Sequence, residues 1–108
     1  MSIINTTYQE LPSLLKANAK VMAMFTTSQS ATCEQLSPVF ELFATNQAYQ
    51  GITFLRLSFE STAAAKRYID PLAAPFFSIY SHGQLVQGES LSTEHQVRAV
   101  LHALYAHH

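Results

Sequence analysis

The side chains best suited to covalent chemistry are Ser30 and Cys33, three residues apart in the stretch SQSATCEQLSP that runs from Ser28 to Pro38. Cys33 is the chain's single cysteine, so no internal disulfide can form. A thiol attacks as its thiolate, which needs a helix start or a cation to lower its pKa. Cys33, Leu36, Phe40 and Phe43 recur every three or four residues, which puts Cys33 on the apolar stripe of a helix. A thiol facing a core has its pKa raised and is inert. Ser30 suits a helix N-cap, where its hydroxyl accepts from a free amide of the first turn. As a nucleophile it would need a neighbouring base. No base lies near it in sequence, and His82 sits far away between two later strands. No histidine or second cysteine is close enough to Cys33 to suggest a metal site, and no cofactor is implied.

The elements that must hold these residues follow from periodicity. Ser2 to Asn5 suits a short strand, and Thr7-Tyr-Gln-Glu10 opens a helix over 8–18 with a capping-box pattern. Val21-Met-Ala-Met-Phe25 is a continuous apolar run, expected as a strand buried on both faces. Helical spacing then covers 31–49, with Pro38 inside it. After Gly51, Ile52 to Phe59 forms a second buried strand, and a shorter helix fits Ser61 to Tyr68. Phe76 to Ser81 and Gln84 to Gln87 form a hairpin that turns at His82-Gly83. Ser92 or Thr93 caps a last helix whose apolar stripe is Val97, Val100, Leu101 and Leu104. Arg56, alternating within a strand, is expected at the edge of exposure, and His95 and His102 on a polar helix face. Strands alternating with helices imply parallel pairing, and the hairpin adds an antiparallel edge. The expectation is an α/β chain with a central mixed sheet and helices on both faces.

Composition narrows the function. Of 108 residues, 48% are apolar, enough for the core of one domain over 1–108. Only 12% are charged, about half the usual share. Net charge is −1 and the six Lys and Arg residues are scattered, which argues against nucleic acid as a partner. No apolar run approaches the length of a membrane span. The opening MSIINTTYQELPSLL lacks a basic segment followed by an apolar one. A cytoplasmic protein that does not meet the membrane is expected.

In order and spacing, residues 20–106 resemble the thioredoxin family. An apolar strand ends in Phe25 and leads through a loop to a long helix. Cys33 precedes Pro38 by five residues, the spacing between the family's second active-site cysteine and the proline in its helix. Tyr49-Gln50-Gly51 leads into the next strand, and Ala74-Pro75 stands where the family has its cis-proline. The resemblance implies a thioredoxin fold.

The active-site motif departs from the family. Where a thioredoxin has Trp-Cys-Gly-Pro-Cys, this chain has Gln29-Ser30-Ala31-Thr32-Cys33, and Met24 replaces a buried aspartate. The attacking sulfur is absent, so the dithiol mechanism cannot close, because Ser30 forms no disulfide. The resemblance implies that Ala74 and Pro75, with Gln29, Ala31 and Thr32, border a groove for an extended peptide or protein partner. A second copy of the chain is one such partner. Two functional readings follow. One is a non-catalytic binding module associated with thiol-redox or folding processes. The other is a monothiol thiol-disulfide oxidoreductase that uses Cys33 and an external thiol.

Overall fold

A strand enclosed on every side organises the molecule. The computed structural model describes residues 3–7, 9–26, 31–58 and 75–106, and of residues 31, 32 and 58 only the backbone. Within them the order is β1 (Ile4–Thr6), α1 (Leu11–Ala17), β2 (Lys20–Thr26), α2 (Ala31–Thr45), a 3-10 turn (Gln47–Tyr49), β3 (Ile52–Ser58), β4 (Phe76–Ser81), β5 (Gln84–Ser90) and α3 (Glu94–Ala106). The strands form one sheet in the order β1-β3-β2-β4-β5. β3 runs parallel to both β1 and β2, while β4 runs antiparallel to β2 and β5. The expected mixed sheet is therefore present.

β2 is central, and Val21, Met22, Ala23 and Met24 are each 0% exposed. Side chains alternate across a strand, so this run feeds two cores. Met22 and Met24 join Ile52, Phe54, Phe77 and Ile79 beneath α2 and α3. Val21, Ala23 and Phe25 join Leu55 and Leu57 on the opposite face, where Leu11, Leu14 and Leu15 of α1 cover them. Helices on both faces follow from this alternation. Phe40 pins α2 to the sheet, meeting Phe54 and Phe77 edge-on with ring centroids 5.3 and 5.7 Å apart.

Several boundaries differ from those expected. The first strand is Ile4–Thr6 rather than residues 2–5. The first helix begins at Leu11, which places Pro12 in the first turn, where no intrahelical N–H is needed. No capping box forms at Thr7: Glu10 is the N-cap, and its own N–H donates to the Thr7 carbonyl at 3.1 Å. α2 ends at Thr45, whereas helical spacing suggested residue 49. The Asn46 side chain accepts from the Ala48 N–H at 2.9 Å and starts a separate 3-10 turn. The last strand extends to Ser90, three residues beyond Gln87. For α3 the cap is Thr93, whose hydroxyl accepts from the Gln96 N–H while Gln96 Oε1 accepts from the Thr93 N–H, a reciprocal capping box. The helix expected over Ser61 to Tyr68 lies outside the described residues, as do Gln29, Ser30 and Ala74.

Phe40 and Leu42 give a test of this packing. Phe40 is 0% exposed and Leu42 is 70% exposed, two positions apart on α2. Phe40→Ala should cost about 3–5 kcal/mol through lost burial and the cavity left behind. Leu42→Ala should change stability by less than about 0.5 kcal/mol. Urea denaturation of the two variants measures the contrast.

Candidate functional site

The C-terminal end of β2 brings the candidate residues together. After Thr26 the chain passes into α2, where Cys33 is the third residue. Antiparallel pairing sets Phe76 opposite Phe25, so Pro75 lies at this same end of the sheet. Residues 31–33 and Pro75, forty positions apart in sequence, thus share one edge of the fold.

The Cys33 side chain is buried, 4% exposed. The buried positions of α2 are Cys33, Leu36, Phe40, Phe43 and Ala44, the stripe that helical spacing implied. α2 continues through Pro38, which has no N–H to give to the Glu34 carbonyl one turn back. Pro75 is buried, and its carbonyl accepts the Leu91 N–H at 3.1 Å. The same segment is braced by Phe76, whose ring meets Phe25 edge-on at 6.1 Å. Gly88 of β5 makes room for that ring, since a Cβ there would stand 2.9 Å from Phe76 Cζ. At the end of β2, Thr26 Oγ1 donates to the Leu57 carbonyl at 3.3 Å.

Arg56 carries the polar structure of this end and, half-buried, lies at the edge of exposure that its alternation implied. It stands beside Met24 in the parallel register. Its Nη1 donates to Ser37 Oγ at 2.6 Å and to Glu41 Oε1 at 3.3 Å. Its Nε donates to Asn5 Oδ1 at 2.9 Å. The side chain is 25% exposed and ties β3 to β1 and to α2. Sequence reasoning missed this network because its members lie on three elements far apart in the chain. His82 is at the opposite end of the sheet, where its N–H donates to the Ala19 carbonyl at 2.7 Å. Among the described residues no three His, Cys, Asp or Glu side chains gather in a way that could hold a metal ion. No helix among them is long and apolar enough to cross a membrane.

Comparison with known proteins agrees with this geometry. The chain is 26% identical over 78 residues to a thioredoxin of Ictalurus punctatus, covering 72% of this chain and 73% of that one. The solved thioredoxin of Malassezia sympodialis superposes with a TM-score of 0.82 over 98% of this chain and 96% of that one. The chain is a thioredoxin-like protein. Plasmodium falciparum thioredoxin superposes with a TM-score of 0.79 over 95% of this chain and 98% of that one. Mitochondrial thioredoxin 3 of Saccharomyces cerevisiae gives 0.80 over 94% and 95%. These three structures share only 16%, 16% and 19% of their residues with it, so they speak for the thioredoxin fold alone. No protein-family model matches the chain.

The Arg56 network yields a stability prediction for this thioredoxin-like site. Removing Arg56 as Met deletes hydrogen bonds to three partners and should cost about 1–2 kcal/mol. Glu41 is 56% exposed, so Glu41→Gln should cost less than about 1 kcal/mol. A larger loss for Glu41→Gln than for Arg56→Met in chemical denaturation contradicts this assignment.

Proposed function

We propose that this thioredoxin-like chain is a non-catalytic module that binds an extended peptide or protein segment in the groove beside Pro75. The observation that carries the reading is its sole thiol. Cys33 occupies the resolving position, is 4% exposed, and has a serine where the attacking cysteine would stand. A dithiol cycle needs an exposed thiolate to form the mixed disulfide and a second sulfur to break it. Ser30 supplies neither. The peptide-binding half of the site does not depend on sulfur. Pro75 donates no N–H, and its carbonyl is engaged by Leu91, so pairing with an added strand falls to Ala74. Gln29, Ala31 and Thr32 are the proposed opposite bank. Binding then rests on backbone hydrogen bonds and apolar contact, and a second copy of the chain is among the partners this allows. The reading sets the module in the cytoplasm, among thiol-redox or folding processes, where a lone thiol stays reduced.

Insulin reduction by dithiothreitol tests the catalytic half. The wild-type rate should equal the uncatalysed background, and turnover above it overturns the reading in favour of a monothiol oxidoreductase. Iodoacetamide should alkylate Cys33 at least about tenfold more slowly in the folded protein than in urea. The binding half is tested with the reduced insulin B chain as an extended peptide. It should shift the amide signals of residues 31–36, Phe76 and Phe77 saturably. Shifts confined to other faces, or none, sink it. In Ser30→Cys, the oxidant diamide should close a disulfide with Cys33, as in the Cys-x-x-Cys motif the stretch resembles.

A further inference from the structure

The end of the sheet away from Cys33 holds a second candidate site. Lys20 opens β2, Gly51 precedes β3, His82 follows β4, and Tyr105 lies in the last turn of α3. Between them is an open cleft of about 370 Å³. Seven residues of strand separate this end from the start of the loop to α2, about 20 Å.

Charge placement singles out the cleft. The described residues include four basic side chains, Lys16, Lys20, Arg56 and Arg98. Arg56 and Arg98 are each paired with a glutamate, Glu41 and Glu94. Neither lysine has a carboxylate within ion-pair distance among the described residues. Both lysines lie at this end: Lys20 lines the cleft, and Lys16 lines an adjoining hollow that shares Ala19 and His82 with it. No Asp or Glu is among the described residues that line either. By contrast, the hollow between β5 and α3 holds Glu89 and no cation.

The cationic head is also held in place. Lys20 Nζ donates to the Tyr105 carbonyl at 2.8 Å and stands 5.8 Å from the Tyr105 ring centroid. One of its three N–H groups is used there, leaving two for a ligand. Tyr105 is braced by Tyr49, edge-on at 6.2 Å, and Tyr49 Oη is 2.8 Å from His102 Nε2. Yet Tyr105 remains 54% exposed, an aromatic surface beside an ammonium group. At Gly51, with φ of +95°, nothing lies within 4 Å of a notional Cβ, so the floor of the cleft is open to a ligand.

We propose that this cleft binds a small aromatic carboxylate, its carboxylate on Lys20 and its ring against Tyr105. The site is separate from the groove beside Pro75 and does not rest on that reading.

Titration of the isotope-labelled full chain with benzoate tests it, read from amide chemical shifts. Benzoate should shift Lys20, Gly51, His82 and Tyr105 saturably. Benzamide, which lacks the charge, and acetate, which lacks the ring, should each bind at least about tenfold more weakly. Lys20→Met should weaken benzoate by at least about tenfold. Arg98→Met, which removes a cation already paired elsewhere, should leave it unchanged. Equal binding of benzoate and benzamide, shifts that map away from the cleft, or no saturable shift overturns the proposal. Should Lys20→Met fail to fold, the contrast between benzoate, benzamide and acetate on the wild-type chain decides the question.

Discussion

Everything in this molecule hangs on β2 having a neighbour on each edge and a helix layer on each face. Four successive side chains, Val21 to Met24, are fully buried as a result. Burying each large apolar side chain contributes about 1.5–3 kcal/mol before entropy is counted. No other strand concentrates so much of that term in so few residues. β2 consequently cannot shift by one residue without exchanging its two apolar sets between different cores. Its fixed register sets both ends of the sheet. At one end Phe25 sets Phe76, and hence Pro75, beside the start of α2. At the other, Lys20 is set opposite Ser81, at the foot of α3.

Around the candidate site the fold is fastened through Arg56. Its neighbour across the sheet is Met24, which offers no charge. A guanidinium in that position must find its hydrogen bonds elsewhere, because leaving it unsatisfied in a part-buried site is costly. It finds them on Ser37, Glu41 and Asn5. An arginine next to the candidate site is thereby spent on joining β1, β3 and α2. It has become a fastening for the helix that carries Cys33. The scaffold around the thioredoxin-like site is thus held by contacts that involve neither Ser30 nor a second sulfur.

Much of this fold was legible in the sequence because its strongest elements are locally written. Val21 to Phe25 has the unbroken apolar run of a two-sided strand. α3 has a four-residue stripe behind a Thr93–Gln96 capping box. What was misread depended on partners at a distance or on a competing local bond. Tyr49 continues the helical spacing of α2, yet Asn46 accepts from Ala48 and closes a different turn. Tyr49 then packs edge-on against Phe43 and hydrogen-bonds His102, fifty-three residues away. That contact is invisible to any window of periodicity. The partners of Arg56 were hidden for the same reason: alternation reports which face a side chain takes, not who waits there. For the site, spacing predicted the burial of Cys33, while the convergence of Pro75 with α2 came only through resemblance. The register of β2 with β4 supplies its physical cause.

The scarcity of charge gives the remaining charges their meaning. With 12% of residues charged, the chain has few ions to place, and two of its described cations are matched to glutamates. Among the described residues the cations paired with carboxylates are the arginines, and Lys16 and Lys20 stand at one end of the sheet. The two ends therefore offer different kinds of recognition. At the end with Cys33 and Pro75 the described arginine is internally engaged. The end with Lys20 presents a held ammonium beside an exposed ring and suits one compact anion. α3 touches both ends: its Tyr105 carbonyl accepts from Lys20, and its cap Thr93 stands two residues after Leu91, the partner of Pro75.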